Sequence, residues 1–206
     1  MTGTGSVQFF DAQFRRQYAT KDFALNPFEL RALPYVEGNV LELGCGLGNL
    51  SIGVAEKGAR VLALDASPAA IQSLAARAKE LRLNIDARCR DLADYAPTGK
   101  FDAVVAIGLF MFFPCEVARR QLARALSAVR VGGIAVVNVL IEGTTFMDMF
   151  DTERGYCLFR EADLPAALDG WQMLDDRVEQ FDAPGGTIKR FRTSIARRPA
   201  AQRKSP

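Results

Sequence analysis

The sequence contains no histidine among its 206 residues. This absence excludes catalytic triads and dyads that use a histidine base, and it excludes zinc sites built from imidazole ligands. Lysine and arginine number 26 against 24 acidic residues, which gives a formal net charge of +2. A balance this close argues against a nucleic-acid partner or an anionic membrane held by bulk charge. No metal site is predicted.

Cysteines are few and hydrophobic runs are short. The 4 cysteines form no C-x-x-C pair, and a chain of this length buries a core without disulfides. They are expected to be reduced thiols in a reducing compartment. The N-terminus lacks the pattern of a signal peptide. The longest apolar run, Ala103 to Phe113, falls well short of the roughly 20 residues that cross a membrane. The sequence therefore predicts a soluble, cytoplasmic protein.

Short apolar strands alternate with helices along most of the chain. Strands are predicted at 40–43, 60–64, 84–89, 101–107 and 134–141. This alternation indicates βαβ units and a parallel sheet covered on both faces. Two further strands, 172–181 and 187–196, are joined by a short connection, which makes them antiparallel. The predicted fold is a doubly wound, Rossmann-like α/β sheet, mostly parallel, with one antiparallel strand near the C-terminus.

One main domain is expected. Residues 1–38 form an N-terminal helical cap segment, residues 39–196 form the main domain, and residues 197–206 form a basic tail that extends into solvent. The protein is expected to be a monomer or a homodimer.

A glycine-rich loop follows the first predicted strand. It runs from Glu42 to Gly48 and leads into the first helix of the main domain. Glycines there let the backbone turn sharply and approach a ligand closely. Asp65 follows the second strand, where one carboxylate suits both hydroxyls of a ribose. Asp91 follows the third strand, where it suits the exocyclic amine of an adenine. The pattern predicts an adenosine-containing cofactor.

Two cofactors fit this pattern. The dinucleotide fingerprint places a third glycine where this chain has Asn49, and Glu42 in the mouth of the loop would repel a pyrophosphate. The same carboxylate would attract S-adenosylmethionine, which carries an ammonium and a sulfonium but no phosphate. An NAD(P)-dependent oxidoreductase is the alternative, and a non-catalytic cofactor-binding scaffold is another. A purely structural explanation, without any cofactor, is that the glycines form turns and the acids cap helices.

The loop and its acids resemble the class I S-adenosylmethionine-dependent methyltransferases over roughly residues 40–196. That family places a reversed last strand beside the fifth. Within the family, the stretch Leu109 to Phe113, Phe159 to Glu161, and Gly170-Trp171 resemble the TehB-like, tellurite-resistance branch. The resemblance implies a methyltransferase whose cofactor is S-adenosylmethionine.

The resemblance also implies which residues hold the cofactor. The glycine loop would line the methionine end, Asp65 would take the ribose, and the third strand end would meet the adenine. The implied cofactor-binding residues are Glu42, Gly44, Cys45, Gly46, Gly48, Asp65, Ala66, Asp91, Leu92 and Ile107.

The methyl acceptor is expected to be a small molecule, held by segments beyond the strand ends. Candidate segments are 9–23, 110–113 and 143–156, with Tyr18, Phe112 and Tyr156 as substrate contacts. Aromatic residues in these segments are equally suited to core packing. Methyl transfer from a sulfonium mainly requires alignment of the nucleophile and exclusion of water, so no catalytic residue is assigned. The cations that could bind an anionic acceptor are Arg154, Lys189, Arg190 and Arg192, although ordinary surface charge explains most of them better.

Overall fold

The computed structural model describes residues 5–21 and 23–200. The strands are β1 (Asn39–Leu43), β2 (Arg60–Asp65), β3 (Ile85–Cys89), β4 (Phe101–Ile107), β5 (Val129–Leu140), β6 (Gln172–Ala183) and β7 (Thr187–Arg197). The helices are α1 (Gly5–Ala19), α2 (Pro27–Ala32), α3 (Asn49–Glu56), α4 (Pro68–Glu80), α5 (Cys115–Ala128) and α6 (Asp163–Ala167). Short 3-10 turns occupy Phe110–Phe112 and Pro184–Gly186.

Within the described residues the strands form one seven-stranded sheet in the order β3-β2-β1-β4-β5-β7-β6. Neighbours from β3 to β5 are parallel, and β7 is antiparallel to both β5 and β6. Parallel neighbours need a long crossover, whereas the short turn between β6 and β7 forces a reversal. The predicted fold class, with one reversed strand beside the fifth, is confirmed.

Local capping signals fix where two of the helices begin. The Asn26 side chain accepts hydrogen bonds from the backbone N–H groups of Phe28 and Glu29, and the Glu29 carboxylate accepts from the Asn26 backbone. The Ser67 hydroxyl accepts from Ala70 N–H at the start of α4. A proline occupies the first position of each helix, where no backbone N–H is needed.

Each face of the sheet carries its own hydrophobic core. Alternate residues of β4 enter different cores: Val104 packs on the side of α5, and Val105 packs on the side of α3. Because both of its faces are covered, the central strand β4 is apolar from Ala103 to Ile107. The carboxyl ends of β1, β2, β3, β4 and β5 therefore meet along one edge, between the two layers.

The ordered chain continues past the C-terminal boundary predicted at residue 196. Arg197 ends β7, and Arg198 N–H donates to the carbonyl oxygen of Gly133 at 2.8 Å. The remainder of the predicted tail, 201–206, lies outside the described residues. In the described part of the chain, no helix combines the length and apolar character that crossing a membrane requires.

The prediction of reduced thiols is wrong for two of the cysteines. Cys115 and Cys157 form a disulfide that joins the start of α5 to the segment after β5. Their separation of 42 residues gives no signal in the sequence. The fold brings them together because the segment after β5 runs back beside the 3-10 turn, where Cys157 N–H donates to Met111 O at 2.9 Å. Cys45 and Cys89 are free.

Titration of thiols in the denatured protein tests this bond. Without reductant, only the thiols of Cys45 and Cys89 should react with a chromogenic disulfide reagent, and reduction should double the count. The double variant Cys115→Ser, Cys157→Ser should unfold with a free energy lower by about 2–4 kcal/mol, because the closed loop restricts the unfolded chain. The exposed Cys89→Ser variant is the control. A full complement of reactive thiols before reduction contradicts the bond.

Candidate functional site

The glycine loop has a backbone that only glycine adopts easily. Gly44, Gly46 and Gly48 have φ of +73°, +51° and +70°, in the left-handed region. A Cβ on Gly48 would lie 2.4 Å from Cδ1 of Leu74 in α4. The N–H of Gly44 donates to the carbonyl oxygen of Leu64 at 2.8 Å. The loop is thus fixed against the end of β2 and closely packed by α4.

Asp65, at the end of β2, closes the loop from the other side. Its Oδ2 accepts a hydrogen bond from Gly46 N–H, and its Oδ1 accepts from Ser67 N–H, both at 2.8 Å. Burial raises the pKa of Asp65, and these backbone donors oppose that rise. The Ser67 hydroxyl also donates to the carboxylate of Asp11 in α1. Two acids and the glycine loop therefore meet at the end of β2.

Glu42 is a buried acid at the start of the same loop. It lies on β1, is 5% exposed, and accepts a hydrogen bond from the hydroxyl of Ser51 in α3. Burial raises the pKa of Glu42 to about 8, and the negative charges of Glu29 and Asp65 add to the rise. A buried carboxyl beside other acids is a favourable place for a cation and a poor one for a phosphate.

The thiol of Cys45 lies inside the same loop and is not a nucleophile. It is buried and donates to the carbonyl oxygen of Gly46 at 3.7 Å. Burial raises the pKa of this thiol well above its ordinary value, so the thiolate is disfavoured. Its backbone N–H donates to Leu64 O at 3.1 Å, beside that of Gly44.

The other predicted cofactor residues lie along the same edge. Ala66 is half-buried and follows β2, and Ile107 is half-buried at the end of β4. Asp91 is exposed, and its carboxylate accepts from Ala93 N–H at 2.9 Å. Leu92 is buried in the core facing α5. A hydrogen bond joins Gly46 to Asp65, whereas among the described residues none joins Asp91 to these loop residues.

Helix α1 covers the glycine loop. Atoms of the Phe14 ring lie 3.0 Å from where a Cβ on Gly46 would stand. Its neighbour Phe10 lies 6.0 Å from Phe14, measured between ring centroids, and 5.1 Å from Phe112 in the loop after β4. The helix therefore bridges the glycine loop and a segment expected to contact substrate.

The three predicted substrate residues divide between two places. Phe112 and Tyr156 both contact Phe150, at 5.5 Å and 4.7 Å between ring centroids. Tyr18 is 48% exposed and lies apart from them, where it lines a hollow of about 500 Å³ between α1 and α4. The structure thus brings Phe112 and Tyr156 together and separates Tyr18 from both.

The sequence did not reveal which serine hydroxyls contact the acids of this site. Ser51 donates to Glu42 from within α3, and Ser67, the cap of α4, also donates to Asp11. Ser67 and Asp11 are 56 residues apart, so no local pattern connects them. The signal available for Ser51 was its place in the first turn of the helix that follows the loop.

Replacing Glu42 tests its burial through stability. Between its ordinary pKa of 4.5 and about 8 the folded state holds a proton that the unfolded state has lost. Stability conferred by this group therefore falls as pH rises through that window. Glu42→Gln keeps an acceptor for Ser51 and removes the titration. Urea unfolding should find it about 1–3 kcal/mol more stable than the unmodified protein at pH 8, with little difference near pH 4.5.

The exposed Glu56→Gln variant, also in this region, controls for a general loss of negative charge. It should leave stability nearly unchanged at both pH values. An effect of Glu42→Gln that is the same at both ends of the pH range would contradict a raised pKa.

The chain is similar to known proteins in both sequence and structure. Residues 40–133 match the model of a methyltransferase domain. The chain is 34% identical over 97 residues to the ubiquinone biosynthesis O-methyltransferase of Xanthomonas oryzae pv. oryzae, a match covering 44% of this chain and 41% of that protein. It thus spans under half the length of that relative. An uncharacterized protein of Mycobacterium tuberculosis is 32% identical over 214 residues, covering 92% of this chain and 75% of that protein.

Solved structures share the fold at low sequence identity. TehB from Haemophilus influenzae superposes with a TM-score of 0.75 at 20% identity, covering 92% of this chain and 67% of that chain. The N-methyltransferase NodS from Bradyrhizobium japonicum, in complex with S-adenosyl-L-homocysteine, gives 0.68 at 18% identity, covering 93% and 99%. Residues 40–133 therefore belong to a methyltransferase domain, and the chain has the fold of the class I S-adenosylmethionine-dependent methyltransferases.

Proposed function

We propose that this protein transfers a methyl group from S-adenosylmethionine to a small-molecule acceptor by in-line displacement. The observation that carries the proposal is the buried Glu42 carboxyl on the glycine loop, with Asp65 as its acidic neighbour. The buried Glu42 carboxyl and the half-buried Asp65 favour a ligand with a sulfonium and an ammonium, because a cation stabilises their ionised forms. A pyrophosphate would add to the repulsion, so an NAD(P)-dependent oxidoreductase is not favoured.

The residues present fit this cofactor. Each carboxylate oxygen of Asp65 accepts one hydrogen bond from a backbone N–H. Each oxygen therefore keeps a lone pair that can accept a hydrogen bond from a ribose hydroxyl. Glu42 would hold the amine, and Ile107 would offer its carbonyl oxygen to the methionine part. The residues proposed to line the site are Gly44, Cys45, Gly46 and Gly48 at the methionine end and Ala66, Asp91 and Leu92 at the adenine.

The bound cofactor supplies a methyl group already activated on a sulfonium. The chain itself orients the acceptor and excludes water, which are the main requirements of such a displacement. Phe14 of α1 packs against the glycine loop, and its neighbour Phe10 contacts Phe112 in the segment after β4. Phe112 in turn contacts Phe150 in the segment after β5, so these aromatic side chains suit both tasks. The reaction does not require a histidine base, and the chain has no histidine.

The narrower expectations stay predictions. Likeness to TehB supports the fold and not its substrate, since identity is 20%. The acceptor of the Xanthomonas relative belongs to that protein, because the match covers 41% of it. These predictions include a cytoplasmic location and a monomeric or homodimeric state, and the Cys115–Cys157 bond does not favour a reducing compartment.

Removing the carboxylate of Asp65 tests the ribose site. Asp65→Ala should weaken binding of S-adenosylmethionine by about 1.5–3 kcal/mol, because charge-assisted hydrogen bonds are lost. Isothermal titration calorimetry measures the change. Asp86→Ala, an exposed acid on β3, serves as the matched control and should bind normally. Unchanged affinity of Asp65→Ala removes this residue from the site, and tight NAD binding without S-adenosylmethionine binding rejects the proposed function.

The pH dependence of cofactor affinity tests Glu42. Affinity should rise as pH increases toward and past about 8, because the ionised carboxylate attracts the cationic ligand more strongly. Glu42→Gln should lose this contribution to the slope. The ligand's own ammonium titrates equally with both proteins, so the difference between their calorimetric pH profiles reports Glu42. Parallel profiles would contradict its role.

A further inference from the structure

Lys189 is a cation without an acidic partner near the site. Three of the four basic residues considered for an anionic acceptor are already paired in the structure. The pairs are Arg154–Asp151, Arg190–Glu161 and Arg192–Asp176. In the described part of the chain Lys189 forms no ion pair, and burial alone acts on its ammonium, lowering the pKa. Of the four, Lys189 is thus the one whose charge is still available.

The reversed strand carries Lys189 to the functional edge of the sheet. Since β7 is antiparallel to β5, the first residues of β7 lie where β5 ends: Phe191 pairs with Leu140, and Lys189 lies two residues further out. The segment after β5 also returns to this strand, because Phe146 N–H donates to the carbonyl oxygen of Ile188 at 3.2 Å. The ammonium therefore stands over the segment expected to cover the acceptor.

A buried aromatic ring lies directly beneath this ammonium. Lys189 Nζ is 4.4 Å from the centroid of the Phe146 ring. Phe146 is buried in a cluster with Met111, Leu140 and Met149. A half-buried ammonium over an aromatic ring has lost part of its hydration, and the ring returns only part of that loss. A negatively charged ligand group would complete the site.

A series of aromatic contacts leads from the Phe146 cluster to the glycine loop. Phe112 and Phe150 pack against the Phe146 cluster and contact each other. Phe112 contacts Phe10 of α1, and its neighbour Phe14 lies against Gly46. Side chains in contact therefore lead from the proposed methionine end of the cofactor to Lys189. Flat aromatic molecules pack well against such aromatic side chains.

We propose that the methyl acceptor is an aromatic carboxylate, and that Lys189 is the specificity-determining residue that binds its negative charge. This inference rests on the proposed methyltransferase function and names its acceptor class. The aromatic side chains hold the planar body of the acceptor between the glycine loop and Phe146, while the ammonium of Lys189 pairs with the carboxylate. A small inorganic oxyanion would satisfy the charge but leave the aromatic surface unused.

Binding of matched probes tests the charge. Benzoate, cinnamate and salicylate are each titrated beside the corresponding primary amide, by calorimetry with saturating S-adenosyl-L-homocysteine. At least one carboxylate should bind about tenfold more tightly than its amide, as expected for a charge-assisted contact. The preference should disappear in Lys189→Met, which keeps the aliphatic stem over Phe146, and it should persist in Lys189→Arg. Lys57→Met, an exposed lysine after α3, is the control and should behave like the unmodified protein.

Three results would overturn the inference. These are equal binding of carboxylates and amides throughout the series, a preference that survives in Lys189→Met, and tellurite or selenite binding as tightly as the aromatic acids. Cofactor affinity measured in the same samples separates the two proposals, because Lys189 is not among the proposed cofactor residues. If the unmodified protein does not bind S-adenosylmethionine, the proposed methyltransferase function is rejected. If it binds the cofactor but shows no preference for carboxylates, only the proposed acceptor class is rejected.

Discussion

The glycine loop has little room for side chains at Gly44, Gly46 and Gly48, and the arrangement of the site depends on this constraint. Leu74 of α4 fills the space a Cβ on Gly48 would need, and Leu109 comes within 3.1 Å of a Cβ placed on Gly44. Helix α4, the segment after β4 and helix α1 therefore all pack directly against the turn. Close approach of backbone to neighbours is what allows these elements to converge on one small volume.

Glu42 and Asp65 determine the electrostatic character of the space around the glycine loop. A carboxyl that loses water without gaining a cation destabilises the fold, and Glu42 is partly compensated only by the Ser51 hydroxyl. Asp65 is better compensated, with two backbone donors. Such a conflict between stability and burial is typical of functional positions, where the ligand supplies what the protein lacks.

Local patterns made most of the fold predictable, and contacts between distant segments did not. Strand and helix order, the caps at Asn26 and Ser67 and the reversed last strand follow from spacing over a few residues. Strand β5 begins at Val129 and not at the predicted residue 134, because an irregular register with β4 lets the strand continue through Gly132 and Gly133. The glycine loop and Asp65 were found from their order along the chain. The Cys115–Cys157 bond and the pairing of arginines, which leaves Lys189 unpaired, depend on tertiary contacts that no spacing encodes.

The position of β7 between β5 and β6 has a consequence for how such a protein diversifies. The loop, Asp65 and Asp91 belong to the first half of the sheet, whereas Lys189 belongs to a terminal hairpin whose strand β7 pairs with β5. With the roles proposed above, changes in the hairpin alter recognition of the acceptor while the cofactor residues are inherited intact. Natural variation and laboratory evolution of new specificities are both expected to concentrate in that hairpin and in the segment that follows β5.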